Sequence, residues 1–165
     1  MNRDIIAKSS AAEILDLYSS RHSEFDSVNF ITALHRIAKS VDARRVISDA
    51  RFSALAECAC QSKTSPPHLA NIAWSFAAIC MMNAPLLDAI ASEAISKLTE
   101  SVTQNISNMA WACSKLLWFH RPLLQAISAA AIARLTEFEA QEISNTSWAF
   151  ATLALHAAPQ STQAA

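Results

Sequence analysis

The chain has 165 residues, 52% of them apolar and 16% charged, with a formal net charge of −1. That length holds one continuous core, and so apolar a composition excludes a disordered chain. The near-neutral balance excludes a global electrostatic pull toward nucleic acid, and the absence of any glycine excludes phosphate-cradling glycine loops and argues against folds that need φ > 0 turns.

Abundant Ala, Leu, Ile and Ser, with only five prolines, favour an all-α chain. Charge is unevenly spread. Residues 1–27 and 64–165 each carry −2, whereas residues 28–63 carry +3 from Arg36, Lys39, Arg44, Arg45, Arg51 and Lys63 against Asp42, Asp49 and Glu57. An anionic partner is therefore expected to favour residues 28–63. The four cysteines (Cys58, Cys60, Cys80, Cys113) sit inside helical patterns, where a reducing compartment is the simpler reading.

In chain order, residues 1–24 form an N-terminal unit, a partial repeat or cap. Its helix is expected over 3–19, with Ile6, Ile14, Leu15 and Tyr18 on one stripe. Arg21 to Ser27 is a polar break. Residues 25–63 read as a divergent repeat, because setting His35 against Trp74 places Thr32 under Asn71 at an interval of 39 residues.

Full repeats follow at 64–100 and 101–137, with a half repeat over 138–159 and a frayed polar tail over 160–165. Asn71 and Trp74 return as Asn108 and Trp111, then as Asn145 and Trp148, each time 37 residues on. Pro85, Pro122 and Pro159 keep that interval, as do Leu98 with Leu135 and Glu100 with Glu137. A fixed period of this size marks an α-solenoid, here of stacked antiparallel helix pairs. In each pair the first helix opens at Pro67 or its equivalent and runs to about Met81. A turn at Asn83-Ala84-Pro85 leads to the second, carrying Leu86, Leu87, Ile90, Ala94, Ile95 and Leu98. The last first-type helix shows no polar cap.

Candidate sites come from the repeated positions. Trp74, Trp111 and Trp148 could stack bases, but one large aromatic per repeat among small neighbours favours structural core, a plug between helix pairs. Asn71, Asn108 and Asn145 are unusual inside helices. They serve either as an amide ladder between repeats or as base-edge readers. Arg36, Lys39, Arg44 and Arg45 could hold phosphates or simply coat solvated faces. Lys115 lies in the third copy, and His120 with Arg121 fall in its turn.

Metal binding is not expected, since Cys58 and Cys60 point apart on a helix and no second pair completes a site. No nucleophile elbow, phosphate loop or paired carboxylates suggest an enzyme, and no cofactor or small-molecule substrate is implied. The uncharged stretch 64–87 is read as a buried helix pair rather than a membrane span. The N-terminus is not a secretory signal and is a poor transit peptide.

The segment Gln141 to Leu153, Q-E-I-S-N-T-S-W-A-F-A-T-L, resembles the octotricopeptide and heptatricopeptide families of helical repeats. Pro67 to Ile79, Gln104 to Leu116 and the opening Val28 to Lys39 are similar to the same families. These families include relatives of the FAST-kinase proteins, and the helical-repeat domain of the RNA-editing substrate-binding complex looks alike. The resemblance covers about residues 25–159. It implies a non-catalytic module in mitochondria or plastids that binds single-stranded RNA. Such a module supports RNA processing, editing, stability or ribosomal RNA assembly beside other subunits of a ribonucleoprotein complex. Its alternative is a protein–protein scaffold with no RNA contact.

Overall fold

A computed structural model describes residues 1–62 and 65–157. Lys63, Pro159 and the tail expected to fray over 160–165 lie outside the described residues. Among those described, every regular element is helical: α1 (Asn2–Ile6), α2 (Ala11–Arg21), α3 (Ser27–Lys39), α4 (Ala43–Val46), α5 (Ala50–Gln61), α6 (Pro66–Ala78), α7 (Ala84–Lys97), α8 (Thr103–Lys115), α9 (Arg121–Ala133) and α10 (Ala140–Ala157). Single 3-10 turns occupy His22–Glu24, Leu98–Glu100 and Leu135–Glu137.

The helices fall into two neighbouring rows. In one, α1 lies against α3, α3 against α6, α6 against α8 and α8 against α10. In the other, α2 touches α5, α5 touches α7 and α7 touches α9. Contacts of α3 with α5, α6 with α7, and α8 with α9 join the rows. Between them lie fully buried Leu34, Ile37, Phe52, Leu55, Ile72, Phe76, Leu87, Ile106 and Leu123. Each such side chain contributes about 1.5–3 kcal/mol of transfer free energy. Helices α6, α8 and α10 start at residues 66, 103 and 140, and α7 and α9 at 84 and 121.

The helix expected over 3–19 is two helices. Ser9-Ser10 stop the first and cap the second: Ser10 Oγ accepts the Glu13 N–H at 3.2 Å, and the Glu13 carboxylate accepts the Ser9 N–H at 2.9 Å. Asp42, in the turn after α3, adds a cap from a distance by accepting the Ala11 N–H at 2.9 Å. These hydrogen bonds hold both carboxyls below the usual carboxylate range, because a carboxylate that accepts amides is favoured in its charged form.

The missing glycine does not exclude positive φ. Helix α6 ends at Ala78, short of the expected Met81, with Cys80 at φ 57°. The Met81 N–H reaches back to Phe76 O at 2.8 Å and the Cys80 N–H to Ala77 O at 3.1 Å. This two-bond left-handed cap is the arrangement glycine usually serves. It recurs 37 residues on, with Leu117 at φ 51°, Trp118 N–H to Cys113 O at 2.8 Å and Leu117 N–H to Ser114 O at 3.1 Å. Four otherwise unpaired carbonyls are thereby satisfied, which outweighs the strain of two Cβ atoms. Both caps then lead through a short turn to a helix start. Asn83 Oδ1 accepts the Leu86 N–H at 3.2 Å, and Pro85 and Pro122 sit in the first turns of α7 and α9, where proline removes no needed donor.

Candidate nucleic-acid interface

Helices α3, α6, α8 and α10 share a register. Matching positions give Thr32, Asn71, Asn108 and Asn145; one turn later His35, Trp74, Trp111 and Trp148; and another turn later Lys39, Ala78, Lys115 and Thr152. Every one of these residues is half-buried or exposed. The ring positions meet across helices. His35 and Trp74 have centroids 4.8 Å apart with planes at 42°, and Trp74 and Trp111 are stacked at 6.0 Å and 24°.

This changes the role expected of the tryptophans as structural core. Trp74 and Trp111 are half-buried rather than enclosed, and Trp148 is 51% exposed. The plug between the helix rows is made instead by smaller residues such as Ile72, Phe76 and Ile106. The indoles lie along one side of one row, with Trp74 stacked on Trp111. Small residues one turn away (Ala70, Ala77, Ser107, Ser114) are themselves buried, so they leave no hole for an indole.

Among the described residues, the side chains of Asn71, Asn108 and Asn145 form no hydrogen bond with one another or with a neighbour. The amide ladder is therefore not formed, and the three amides are free to meet a ligand. Ser75 and Ser114 satisfy their hydroxyls on the carbonyls of Asn71 and Trp111, at 2.6 and 2.9 Å, and play no part in the row.

The basic candidates divide. Lys39 and Lys115 are exposed on the ring-bearing helices. Arg36 is half-buried, and its guanidinium donates to Ile6 O at 3.2 Å and Lys8 O at 3.1 Å, clamping the α1–α2 turn. Arg51 is paired with Asp16 and Asp49 at 2.7 Å. Arg44 and Arg45 are exposed on α4, which packs on α2 and α3. His120 is a cap: its Nδ1 accepts the Leu123 N–H at 3.1 Å, and its ring lies 5.5 Å from Trp118. Arg121 lines a separate open pocket of about 500 Å³ with Phe119, Leu124, Gln125, Ser128 and Phe150.

Two histidines escaped the sequence reading as site residues. His35 takes the ring position of the divergent first copy, and His68 precedes Asn71 by one turn. Both line an open groove of about 400 Å³ between α1, α3 and α6, with Ile6, Val28, Ile31, Thr32, Arg36 and Asn71. Burial pushes the His35 pKa below its ordinary value, and the positive charges of Lys39 and Arg36 push it further. A neutral imidazole can stack on an indole without the cost of a desolvated charge. The alignment of His35 with the tryptophans was the signal available.

The remaining chemistry is quiet. Burial pushes the Cys113 thiol up to about 12, and burial with the nearby Glu57 charge does the same for Cys60, so neither is a nucleophile at neutral pH. Among the described residues no three His, Cys, Asp or Glu side chains gather to hold a metal ion, and no helix is long and apolar enough to cross a membrane. No protein-family model matches the sequence, and no curated protein is significantly similar to it.

Proposed function

We propose that the chain is an α-solenoid module, built of antiparallel helix pairs at a 37-residue period, that binds single-stranded RNA along α3, α6, α8 and α10. The observation that carries this reading is the ring row His35–Trp74–Trp111, half-exposed and in mutual contact across three helices. Half-exposed rings in a line leave aromatic surface open to solvent, and unpaired bases stack on such surfaces for about 1–3 kcal/mol each. An amide row on one side suits base edges, and Lys39 and Lys115 on the other suit phosphates. On this reading, which the resemblance to octotricopeptide-type repeats supports, the module works in a mitochondrion or plastid within a ribonucleoprotein complex and without catalysis of its own.

Electrophoretic mobility shifts with a short oligouridine test it. Trp111→Ala and Asn108→Ala are each expected to weaken binding about tenfold or more while the far-ultraviolet circular dichroism stays unchanged. Unaltered binding by both variants would refute the assignment to this face.

A protein-scaffold reading has its own observation. Ile132 and Leu135 on the α9 side are 73% and 58% exposed, whereas their counterparts 37 residues earlier are half-buried Ile95 and buried Leu98, the latter 4% exposed. With Leu155 and the Phe119–Phe150 pocket they leave the α9–α10 end apolar. A partner helix there is compatible with RNA on the ring-bearing face.

A further inference from the structure

Helix α10 repeats α6 and α8 in sequence but not in burial. Ile143 is 40% exposed, whereas Leu69 and Ile106, at the same position of α6 and α8, are 3% and 0% exposed. Ser144 and Ala151 are exposed, while their counterparts Ala70, Ser107, Ala77 and Ser114 are all buried. Residues 143, 147, 151 and 155 recur at helical spacing, so these positions make one face of α10.

The two earlier copies show what covers such a face. Helix α6 packs on α8, and α8 on α10. Across the second contact Ser107 Oγ donates to Glu142 O at 3.4 Å. At the matching place on α10, Ser144 Oγ turns back to Ala140 O at 2.9 Å. The face is a helix-docking surface, left open in the single chain.

Its chemistry selects the helix that covers it. No Asp, Glu, Lys or Arg occurs from residue 143 to residue 155. Ile143 and Leu155 stand exposed at its two ends, and Ser147 and Ala151 between them are small enough for close approach of another helix. A twofold axis brings a surface against itself, so any charge there would meet its own kind; this face has none. The opposite end of the molecule is a poor match, because α1 has five residues and carries Arg3 and Asp4, whose charges would lose water against an uncharged surface. Within the chain the equivalent faces of α6 and α8 are already covered. The open face that matches is that of another α10.

We propose that α10 docks on α10 of a second copy, giving a twofold dimer in which the two helices run antiparallel. Centred at the level of residue 149, the pairing sets Ile143 against Leu155 of the second copy and Ser147 against Ala151 of the second copy. An 18-residue helix is about 27 Å long, and with the end of α9 beside it the face measures roughly 500 Å² per copy. A standard interface takes about 800 Å² from each partner, so the dimer is expected to be a micromolar one. The inference is independent of the RNA reading, and it goes beyond the scaffold reading by naming the occupant of this end.

Sedimentation velocity of the whole chain, from low micromolar to several hundred micromolar, tests it. The weight-average mass is expected to climb from that of one chain toward that of two. Leu155→Lys and Ile143→Asp should each weaken self-association about tenfold or more, since a covered charge would lack a partner, with the far-ultraviolet circular dichroism unchanged. An equimolar mixture of the two variants should dimerise again, because the antiparallel register sets the opposite charges against each other once and leaves one native pair. A parent chain that stays monomeric across the range overturns the proposal and leaves this end to a different partner. Dimers unmoved by both variants overturn the assignment to α10, and a mixture that stays monomeric overturns the antiparallel pairing.

Discussion

Cys80 and Leu117 hold left-handed backbone conformations that cost a residue with a Cβ about 1–2 kcal/mol. Both are exposed, so glycine at either position would relieve the strain with little loss of packing. Cys80→Gly and Leu117→Gly are each expected to stabilise the protein by about 1 kcal/mol, visible as a higher urea midpoint at unchanged slope. A lower midpoint would mean that the side chains themselves support the caps.

His35 yields a second residue-scale prediction. Its folded pKa lies below the ordinary 6.5 because of burial and the cations Lys39 and Arg36. A depressed imidazole pKa means that the unfolded chain takes up its proton first as pH falls. The associated stability is complete above about 6.5 and declines as pH drops toward the folded value. Trp74 fluorescence should report that protonation, since the rings are 4.8 Å apart. The expected quench has its midpoint below 6.5 and disappears in His35→Gln; a transition that survives the substitution would assign it to another group.

At the scale of elements, the sequence showed most where periodicity was strong. Asn83-Ala84-Pro85 marked the start of α7 correctly because an asparagine cap followed by proline has a direct mechanical meaning. The split of the first helix was also written in the chain, as Ser10 three residues before Glu13, but the apolar stripe across it concealed the cap. The distant cap from Asp42 was not legible, because it depends on a turn 31 residues away. Asp42→Ala should cost about 1 kcal/mol. The folded Asp42 carboxyl lies below its usual 3.8, so that contribution is present above this value and fades as the solution is acidified through the folded one. Acid-unfolding curves of the variant and the parent should therefore converge at low pH.

The tryptophans show what periodicity cannot decide. A repeated position identifies equivalence, not which side of the helix faces the second row. Small neighbours at one turn suggested a pocket for each indole, but around Trp74 and Trp111 those neighbours are the buried residues and the indoles are half-buried, while Trp148 and its neighbours Ser144 and Ala151 are exposed. Trp111→Ala is therefore expected to cost about 1–2 kcal/mol, as for a partly buried ring, rather than the 3–5 of an enclosed one. Chemical denaturation distinguishes the two values.

Across the whole molecule, the net charge of −1 conceals a local arrangement. The basic group read from residues 28–63 disperses on folding. Arg51 is taken by Asp16 and Asp49, Arg36 by main-chain carbonyls, and Arg44 and Arg45 sit on α4, which packs on α2 and α3. Lys39 and Lys115 remain beside the aromatic positions. So few cations predict modest affinity and a shallow salt dependence, with stacking supplying much of the binding free energy. The exposed apolar end at Ile132, Leu135 and Leu155 gives the same molecule a second, chemically distinct surface.

The most direct measurement is a titration of intrinsic tryptophan fluorescence with oligouridine at stepped salt concentrations, for the parent chain and for Trp111→Ala. The account predicts saturable quenching, an affinity that falls gently and linearly with the logarithm of salt, and a loss of about tenfold in the variant at every salt. Fluorescence that does not respond to RNA, or a variant that binds as tightly as its parent, would contradict it.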